Sequence, residues 1–370
     1  MSDAQIPLYA PLLGEEEIAN VVAAVRSGWI SSLGAFIQEF ERDFAAFCRA
    51  REAVAVTSGT AALHLALVAV GVGPGDDVVV PSLTFVATAN AVRYCGATPV
   101  FVDSDRATWC MQPSGLDELV TPRTKAIVPV HLYGHPCDMD PILEVARRHG
   151  IAVVEDAAQA HGAEYRGRRV GTLGAIGCFS FHGNKIITTG EGGMCVTDDP
   201  RLAERLRSLR DQAMDPQRYY WHDLVGYSYR MTNLQAAIGV AQVKKAASFL
   251  ERKRRLVGWY TELLAPLAAA GRLELQREAT WARSVFWLSS VLLVDSRVSR
   301  DQVRARLGAA GIDTRPFFHP VHTLPPYARQ QRLPVAEDLG ARGLNLPSGL
   351  GLEQSHVARV VRALTAALSG

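Results

Sequence analysis

Residues 180–193 read SFHGNKIITTGEGG, a short aromatic run that passes into a polar, glycine-spotted loop around Lys185. An amine in such a loop is a candidate nucleophile for a carbonyl, provided part of it is neutral at working pH. The chain has little lysine to choose from. Of its 39 basic residues only five are lysine: Lys125, Lys185, Lys244, Lys245 and Lys253. Lys244 and Lys245 fall on the polar face of a helical pattern, and Lys125 leads into the apolar run AIVPV. Lys253 belongs to the charge run ERKRR, which reads as a solvated face. Lys185 is the one lysine in a glycine-bounded loop.

Three other features have chemistry that could join it. The run AVAVT is followed by Ser58-Gly59-Thr60 and then a helical pattern. A glycine lets the backbone approach an anion, and a helix N-terminus offers free N–H groups and a positive dipole end. The same residues also suit an ordinary N-cap by Ser58 or Thr60. Asp156 closes the run IAVVED, where a carboxylate either holds a cationic group or caps the next helix. In GCFSFHG, alternation sends Phe179 and Phe181 to one face and Ser180 and His182 to the other, so a serine, a histidine and Lys185 converge. One cofactor accounts for the set, pyridoxal 5′-phosphate (PLP). Its phosphate needs hydroxyls and a helix N-terminus, its pyridine nitrogen a carboxylate, and its aldehyde a lysine. Its ring face wants an aromatic cover, and Phe85 lies just past another strand end.

Competing motifs are weak. GVGPGD (71–76) follows a helix and precedes a strand, the wrong order for a dinucleotide-binding turn. His131 and His135 are four residues apart, but HLYGH lacks the glutamate of HExxH and contains a glycine, so no metal is expected. Neither a GxSxG elbow nor a Walker loop occurs.

The elements that must position these residues alternate. Helical periodicity marks 15–26 and 35–49, then apolar strands at 53–57, 77–81, 98–103, 126–132, 151–156 and 176–181. Between them lie helical stretches at 60–71, 85–96, 114–120 and 139–150. That alternation predicts an α/β fold with a mostly parallel sheet covered by helices on both faces. After a helix at 201–212, residues 232–264 read as one long helix or two joined ones. A strand at 284–294 and helices at 300–311 and 353–368 then suggest a smaller α+β domain. The boundary is placed near 246, giving a large domain 1–245 with an N-terminal arm and a small domain 246–370. No internal repeat or low-complexity segment interrupts this order.

Composition excludes several classes. The 370 residues are 48% hydrophobic with a formal charge of +2, so nothing global points to nucleic acid or an anionic membrane. No apolar run approaches the ~20 residues of a membrane-spanning helix. The first ten residues lack the basic and apolar regions of a signal peptide. The six cysteines are scattered without a CxxC pair and read as reduced thiols of a cytoplasmic protein.

Longer stretches carry a resemblance. GWISSLG (28–34), TSGTAALHLAL (57–67), PSLTFVATANAV (81–92), GATPVFVD (96–103), HLYGHPCDMD (131–140), VVEDAAQAHGAEY (153–165), CFSFHGNKIITTGEGGM (178–194) and YRMTNLQAAIG (229–239) together resemble the DegT/DnrJ/EryC1/StrS sugar aminotransferases nearly end to end. The resemblance implies the aspartate-aminotransferase superfold (fold type I), with a seven-stranded sheet in the large domain. It implies Lys185 as the Schiff-base lysine, Asp156 on the pyridine nitrogen, Gln159 on the phenolic oxygen and Phe85 stacked on the ring. Gly59, Thr60 and Ser180 would hold the phosphate. Asn233 would reach it from the partner subunit of a homodimer, and Arg230 beside it would meet a substrate anion. Trp29, Ser31, Arg315, Phe317 and His319 are candidates for the nucleotide-sugar side. Alternative duties are dimer packing for Trp29 and a surface or interdomain place for Arg315.

Some relatives carry histidine at the aldehyde-binding position and deoxygenate instead. Here Lys185 holds that position and His182 lies three residues upstream, a substrate-side candidate that either shuttles protons or packs and hydrogen-bonds near the cofactor. DTRPFFHPVHTLPPY (313–327) is similar to a branch that aminates C4 of GDP-4-keto-6-deoxymannose, with glutamate as donor. A 3-keto sugar, a dTDP- or UDP-linked sugar, or a cofactor-binding regulator without catalysis are the alternatives.

Overall fold

Apolar runs of five residues bounded by turns become strands, and runs with a 3.6-residue stripe become helices. The computed structural model describes residues 5–294, 297–328 and 331–369. In the first half, helices α1 (Glu15–Ser27) and α2 (Ala35–Cys48) precede β1 (Glu52–Val56) and α3 (Gly59–Ala69). Then come β2 (Asp77–Pro81), α4 (Ala87–Tyr94), β3 (Thr98–Val102), α5 (Leu116–Leu119), β4 (Thr124–Ile127), α6 (Met139–His149) and β5 (Ala152–Asp156). The short β6 (Glu164–Tyr165) and β7 (Arg168–Arg169) lead to β8 (Ile176–Ser180), β9 (Gly193–Thr197) and α7 (Pro200–Arg210). Helix α8 (Asn233–Ala269) runs without a break for 37 residues. Beyond it lie β10 (Leu273–Leu275), β11 (Ala282–Arg283), β12 (Ser289–Leu293), α9 (Arg300–Ala309) and β13 (Arg315–Pro316). The chain closes with α10 (Pro334–Arg342), β14 (Gly343–Leu346) and α11 (Gln354–Ser369).

The main sheet has seven strands in the order β1-β9-β8-β5-β4-β2-β3, as the resemblance implied. The pairs β2–β3, β2–β4, β4–β5 and β5–β8 are parallel, while β9 runs antiparallel to both β8 and β1. Every residue of β2 is buried, as expected of a strand covered on both faces. Four strands, β10-β12-β14-β13, form a second sheet, and β11-β6-β7 a small ribbon.

Several sequence boundaries move for identifiable reasons. The strand expected over 126–132 stops at Ile127, because Pro129 has no N–H for a ladder. The chain stays beside β5 through the Val130–Asp156 bridge and then makes one 3-10 turn at Leu132–Gly134. The run 284–294 is a strand only from Ser289, since Phe286 takes φ +47° and turns the chain. The stretch 114–120 keeps a single helical turn. Strand β9 was not foreseen, because GMCVT follows a glycine-rich loop and is too short to show a period.

Helix α8 serves two apolar cores. Ala236, Val240 and Phe249 pack in the core around the main sheet. Leu256, Tyr260 and Leu264 pack with Val291, Val360 and Leu364 in the second. We propose to divide the chain within this helix, near residue 246. Among the described residues no helix is long and apolar enough to cross a membrane.

Lys253 corrects the sequence reading. It does not lie on a solvated face but is fully buried, with Nζ 2.7 Å from the carbonyl oxygens of both Trp287 and Ser348. In a helix, position 253 shares its stripe with Phe249, Leu256 and Tyr260, and a run of charges does not say which member turns inward. Burial pushes its pKa down to about 7 from 10.5. The unfolded chain therefore binds the extra proton between those values. Relative to Lys253→Met, unfolding free energy should rise with pH between 7 and 10.5 by up to ~1.4 kcal/mol per unit. Urea melts of both proteins across that range measure the slope, and parallel curves would contradict it.

Candidate active site

The carboxyl ends of β1, β5 and β8 open on one side of the sheet, where an open α/β fold collects ligands. A cleft of about 420 Å³ lies there, lined by Gly59, Thr60, Phe85, Asp156, Gln159, Ser180, His182 and Lys185. All eight were singled out from the sequence, on four different segments.

At the end of β1, Ser58 is the N-cap of α3 and its Oγ accepts from the N–H of Ala61 at 3.1 Å. Capping and ligand binding are thus not exclusive, because Gly59 and Thr60 at the start of the helix still line the cleft. Gly59 packs against β8 so closely that a Cβ there would lie 2.6 Å from Cβ of Ser180. The cradle is built for glycine.

At the end of β5 two adjacent carboxylates have opposite duties, because successive residues of a strand face opposite ways. Burial alone would raise the pKa of Glu155. Hydrogen bonds from His131 and from the N–H groups of Gly174 and Gly171 overcome that and hold it below its ordinary value. His131 is therefore engaged with Glu155, and among the described residues no cluster of three or more His, Cys, Asp or Glu side chains could hold a metal ion. Asp156 turns to the cleft. Burial raises its pKa, and the Thr88 hydroxyl (2.8 Å), the Ala158 N–H (3.2 Å) and the charge of Lys185 only partly offset this. A cationic group entering the cleft would favour its ionised form.

Past β8, the Lys185 amine sits over the ring of Trp287, 3.7 Å from the centroid. Burial lowers its pKa to about 7, with the charge of Asp156 opposing the shift. Gln159 accepts the Tyr133 N–H through Oε1 at 2.9 Å, which leaves its amide nitrogen as the donor. Phe85 is 54% exposed at the mouth, its ring 5.7 Å from that of Phe318. His182 lies half exposed on the rim, Nδ1 3.0 Å from Oδ1 of Asn184 and Nε2 3.6 Å from Glu191.

The structure does not bring the remaining candidates into this cleft. Asn233 is buried, its amide donating to the Trp29 carbonyl (2.7 Å) and accepting from the Phe36 N–H (3.1 Å). Its N–H also holds the Ser31 carbonyl at 2.6 Å. Arg230 pairs with Asp211 at 2.7 Å. Arg315, Phe317 and His319 line a neighbouring cavity of about 490 Å³, which shares Asn184, Trp287 and Phe318 with the cleft. Within it Arg315 and His319 are exposed, whereas Phe317 is buried against Trp109 and Tyr133.

Sequence reading missed Thr88, Trp287, Phe318, Glu191 and Tyr9, whose hydroxyl donates to the Lys185 carbonyl at 2.7 Å. Thr88 had a faint signal, one helical turn after Phe85. Trp287 and Tyr9 had none, since they arrive from distant segments.

A family model described as the DegT/DnrJ/EryC1/StrS aminotransferase family matches residues 11–365. The chain belongs to the DegT/DnrJ/EryC1/StrS aminotransferase family. Among its relatives, the GDP-perosamine synthase of Caulobacter vibrioides is 53% identical over 98% of this chain and 99% of the relative. The GDP-perosamine synthase of Escherichia coli O157:H7 is 46% identical over 95% of each. A solved structure of a putative sugar aminotransferase of Streptococcus pneumoniae, Spr1654 in its PLP form, superposes with a TM-score of 0.92 at 27% identity over 99% of both chains. The DegT-family chain described here is thus a sugar aminotransferase, of a family whose cofactor is PLP.

Proposed function

We propose that this enzyme holds PLP in the cleft and transfers an amino group from glutamate to C4 of GDP-4-keto-6-deoxymannose, forming GDP-perosamine. One observation carries the cofactor assignment. A glycine cradle at a helix N-terminus, a buried carboxylate and an amine depressed to about 7 meet in one 420 Å³ cleft. That donor set fits the phosphate, ring nitrogen and aldehyde of PLP, and the two perosamine synthases support the choice of sugar.

When bound, PLP supplies an electron sink for the charge left on a carbon that loses its proton. The protein does the rest. The α3 N-terminus, Thr60 and Ser180 bind the phosphate. Asp156 keeps the proton on the ring nitrogen, and Gln159 donates to the phenolic oxygen. Lys185, neutral in part near pH 7, carries the proton off the carbon that bears the amine. Phe85 and Trp287 flank the site and exclude water from that amine.

We assign a homodimer in which Asn233 and Arg230 of each chain face the other's cleft. Trp29, Ile30 and Leu33, beside Asn233, expose 58%, 48% and 67% of their surface and support such a contact. Arg315, Phe317 and His319 are assigned to the nucleotide-sugar side, and the enzyme to the cytoplasm. Gly59→Ala should weaken PLP retention tenfold or more (~1.4 kcal/mol), because its methyl meets Ser180. Equilibrium dialysis against PLP measures this, and unchanged retention would remove the cradle.

The substrate test is a panel of keto-sugar nucleotides that differ in base and ketone position. Each is incubated with glutamate, and products are identified by mass and NMR. Amination of the GDP-linked 4-ketone is expected. Turnover of only a dTDP- or UDP-linked ketone, or of a 3-ketone, would replace the assigned sugar while leaving the transaminase.

A further inference from the structure

Lys253, the buried lysine outside the cleft, has no part in the chemistry above, yet it connects to it. The ladder of β12 and β14 pairs Ser289 with Leu346 at its end nearest the cleft. Two steps further in register, past Leu288 and Pro347, are Trp287 and Ser348, and they do not pair. The Ser348 N–H turns away to the Leu8 carbonyl at 2.6 Å, and the Ser289 N–H goes to Oγ of Ser348 at 2.8 Å. Into the opening between the splayed strands comes Lys253 from α8, and both free carbonyls, of Trp287 and of Ser348, accept from its Nζ at 2.7 Å. Among the described residues no carboxylate forms an ion pair with it. An apolar side chain would fill the space but leave two buried carbonyls unpaired, which a core tolerates poorly.

The residue gripped in this way is the one that covers Lys185. The Trp287 ring lies 3.7 Å from Nζ of Lys185, and its indole N–H donates to the Asn184 carbonyl at 2.7 Å. The N-terminal arm closes the circuit. Tyr9 donates to the Lys185 carbonyl, and its ring centroid is 5.8 Å from Nζ of Lys253. The other titratable groups felt by the Lys185 amine are Asp156 on β5 and the buried His161 behind β8.

We propose that Lys253 is a positioning residue for Lys185: by clamping the carbonyls of Trp287 and Ser348 it fixes the Trp287 indole over the Lys185 amine and keeps water from it. The inference rests on the reading of Lys185 as the cofactor-binding amine.

The test begins with full-length cofactor-free protein. Labelling of Lys185 by a small acylating reagent, followed against pH by peptide mass spectrometry, gives the apparent pKa of its amine. Lys253→Met should raise that pKa by about one unit or more, so that roughly fivefold less amine, or lower still, is neutral at pH 7. Lys253→Gln keeps two N–H donors and should rescue part of the shift. In the PLP-loaded enzyme the pH titration of the visible absorption band should move from its wild-type position. There kcat should fall ~10-fold while KM for the keto sugar changes less than ~2-fold.

A purely structural Lys253 would lower Tm yet leave both titrations at their wild-type positions, and that result overturns the proposal. If the methionine variant does not fold, the glutamine variant carries the same comparison. Trp287→Leu should then reproduce its shift, and the pair should combine less than additively; full additivity also overturns the proposal. Failure of the PLP reading shows separately, as no borohydride-trapped PLP on Lys185 of the wild type, and the labelling arm still decides Lys253.

Discussion

Lys185→Ala is expected to lower kcat for amine transfer by ~10³-fold or more while leaving the fold intact. The reason is a lack of substitutes. Among the cleft residues His182 is the nearest alternative base in the chain, but it sits on the rim, turned to Asn184 and Glu191. The pKa of Lys185 also suits proton transfer at neutral pH. With its pKa at about 7, half of it is neutral there, against ~1 in 3,000 for a lysine at 10.5. Removing it should not destabilise the cofactor-free protein, because an amine depressed by burial opposes folding below pH 10.5. Single-turnover absorbance with glutamate, paired with a thermal melt, reads both arms. Wild-type rates in this variant would remove Lys185 from the reaction.

Asp156→Ala ranks second, with an expected loss of ~10²–10³ in kcat and weaker cofactor retention. Only an ionised carboxylate keeps a pyridine nitrogen protonated, and Asp156 is the carboxylate that the end of β5 turns into the cleft. Its raised pKa shows that burial disfavours the ionised form even beside the charge of Lys185. The folded state then holds a proton that the unfolded state releases, so this group costs stability as pH rises above the ordinary aspartate value. Asp156→Asn, which can still accept from Thr88, should therefore be as stable as wild type or more so at pH 7 without cofactor. It should nevertheless gain less than wild type on PLP addition and remain nearly inactive. Chemical denaturation with and without PLP separates these effects. An asparagine variant that turns over normally would refute the charge's role.

How much of the site could be read in advance depends on distance along the chain. Ser180, His182 and Lys185 are neighbours in sequence, so strand alternation and one turn bring them together. Ser58-Gly59-Thr60 and Asp156 could be found because each ends an apolar run, and strand ends are where an α/β sheet binds ligands. Asn233, Trp29 and Ser31 gather away from this chain's cleft, around the exposed 28–34 segment, and Arg230 is paired with Asp211. For Arg315, Phe317 and His319 the resemblance implied a shared substrate role; all three line one cavity beside the cleft, Phe317 from the core and the other two from exposed positions.

The order of β and α segments, the strand-end positions of the cleft residues and the choice of Lys185 were determined by the sequence alone. Each depends on local periodicity, turn chemistry or a residue type too rare to be accidental. The tertiary structure decided which lysines lose their water: Lys253 is fully buried, and Lys185 is partly buried in the cleft wall. Lys253 and Lys185 both have pKa values near 7, one in a charge run and one in a glycine loop. Depression of a lysine comes from the loss of water around it, and water is excluded by whatever packs there from afar. For Lys253 that is the splayed end of β12 and β14. For Lys185 it is Trp287, 102 positions along the chain, and no pattern around either lysine encodes those neighbours.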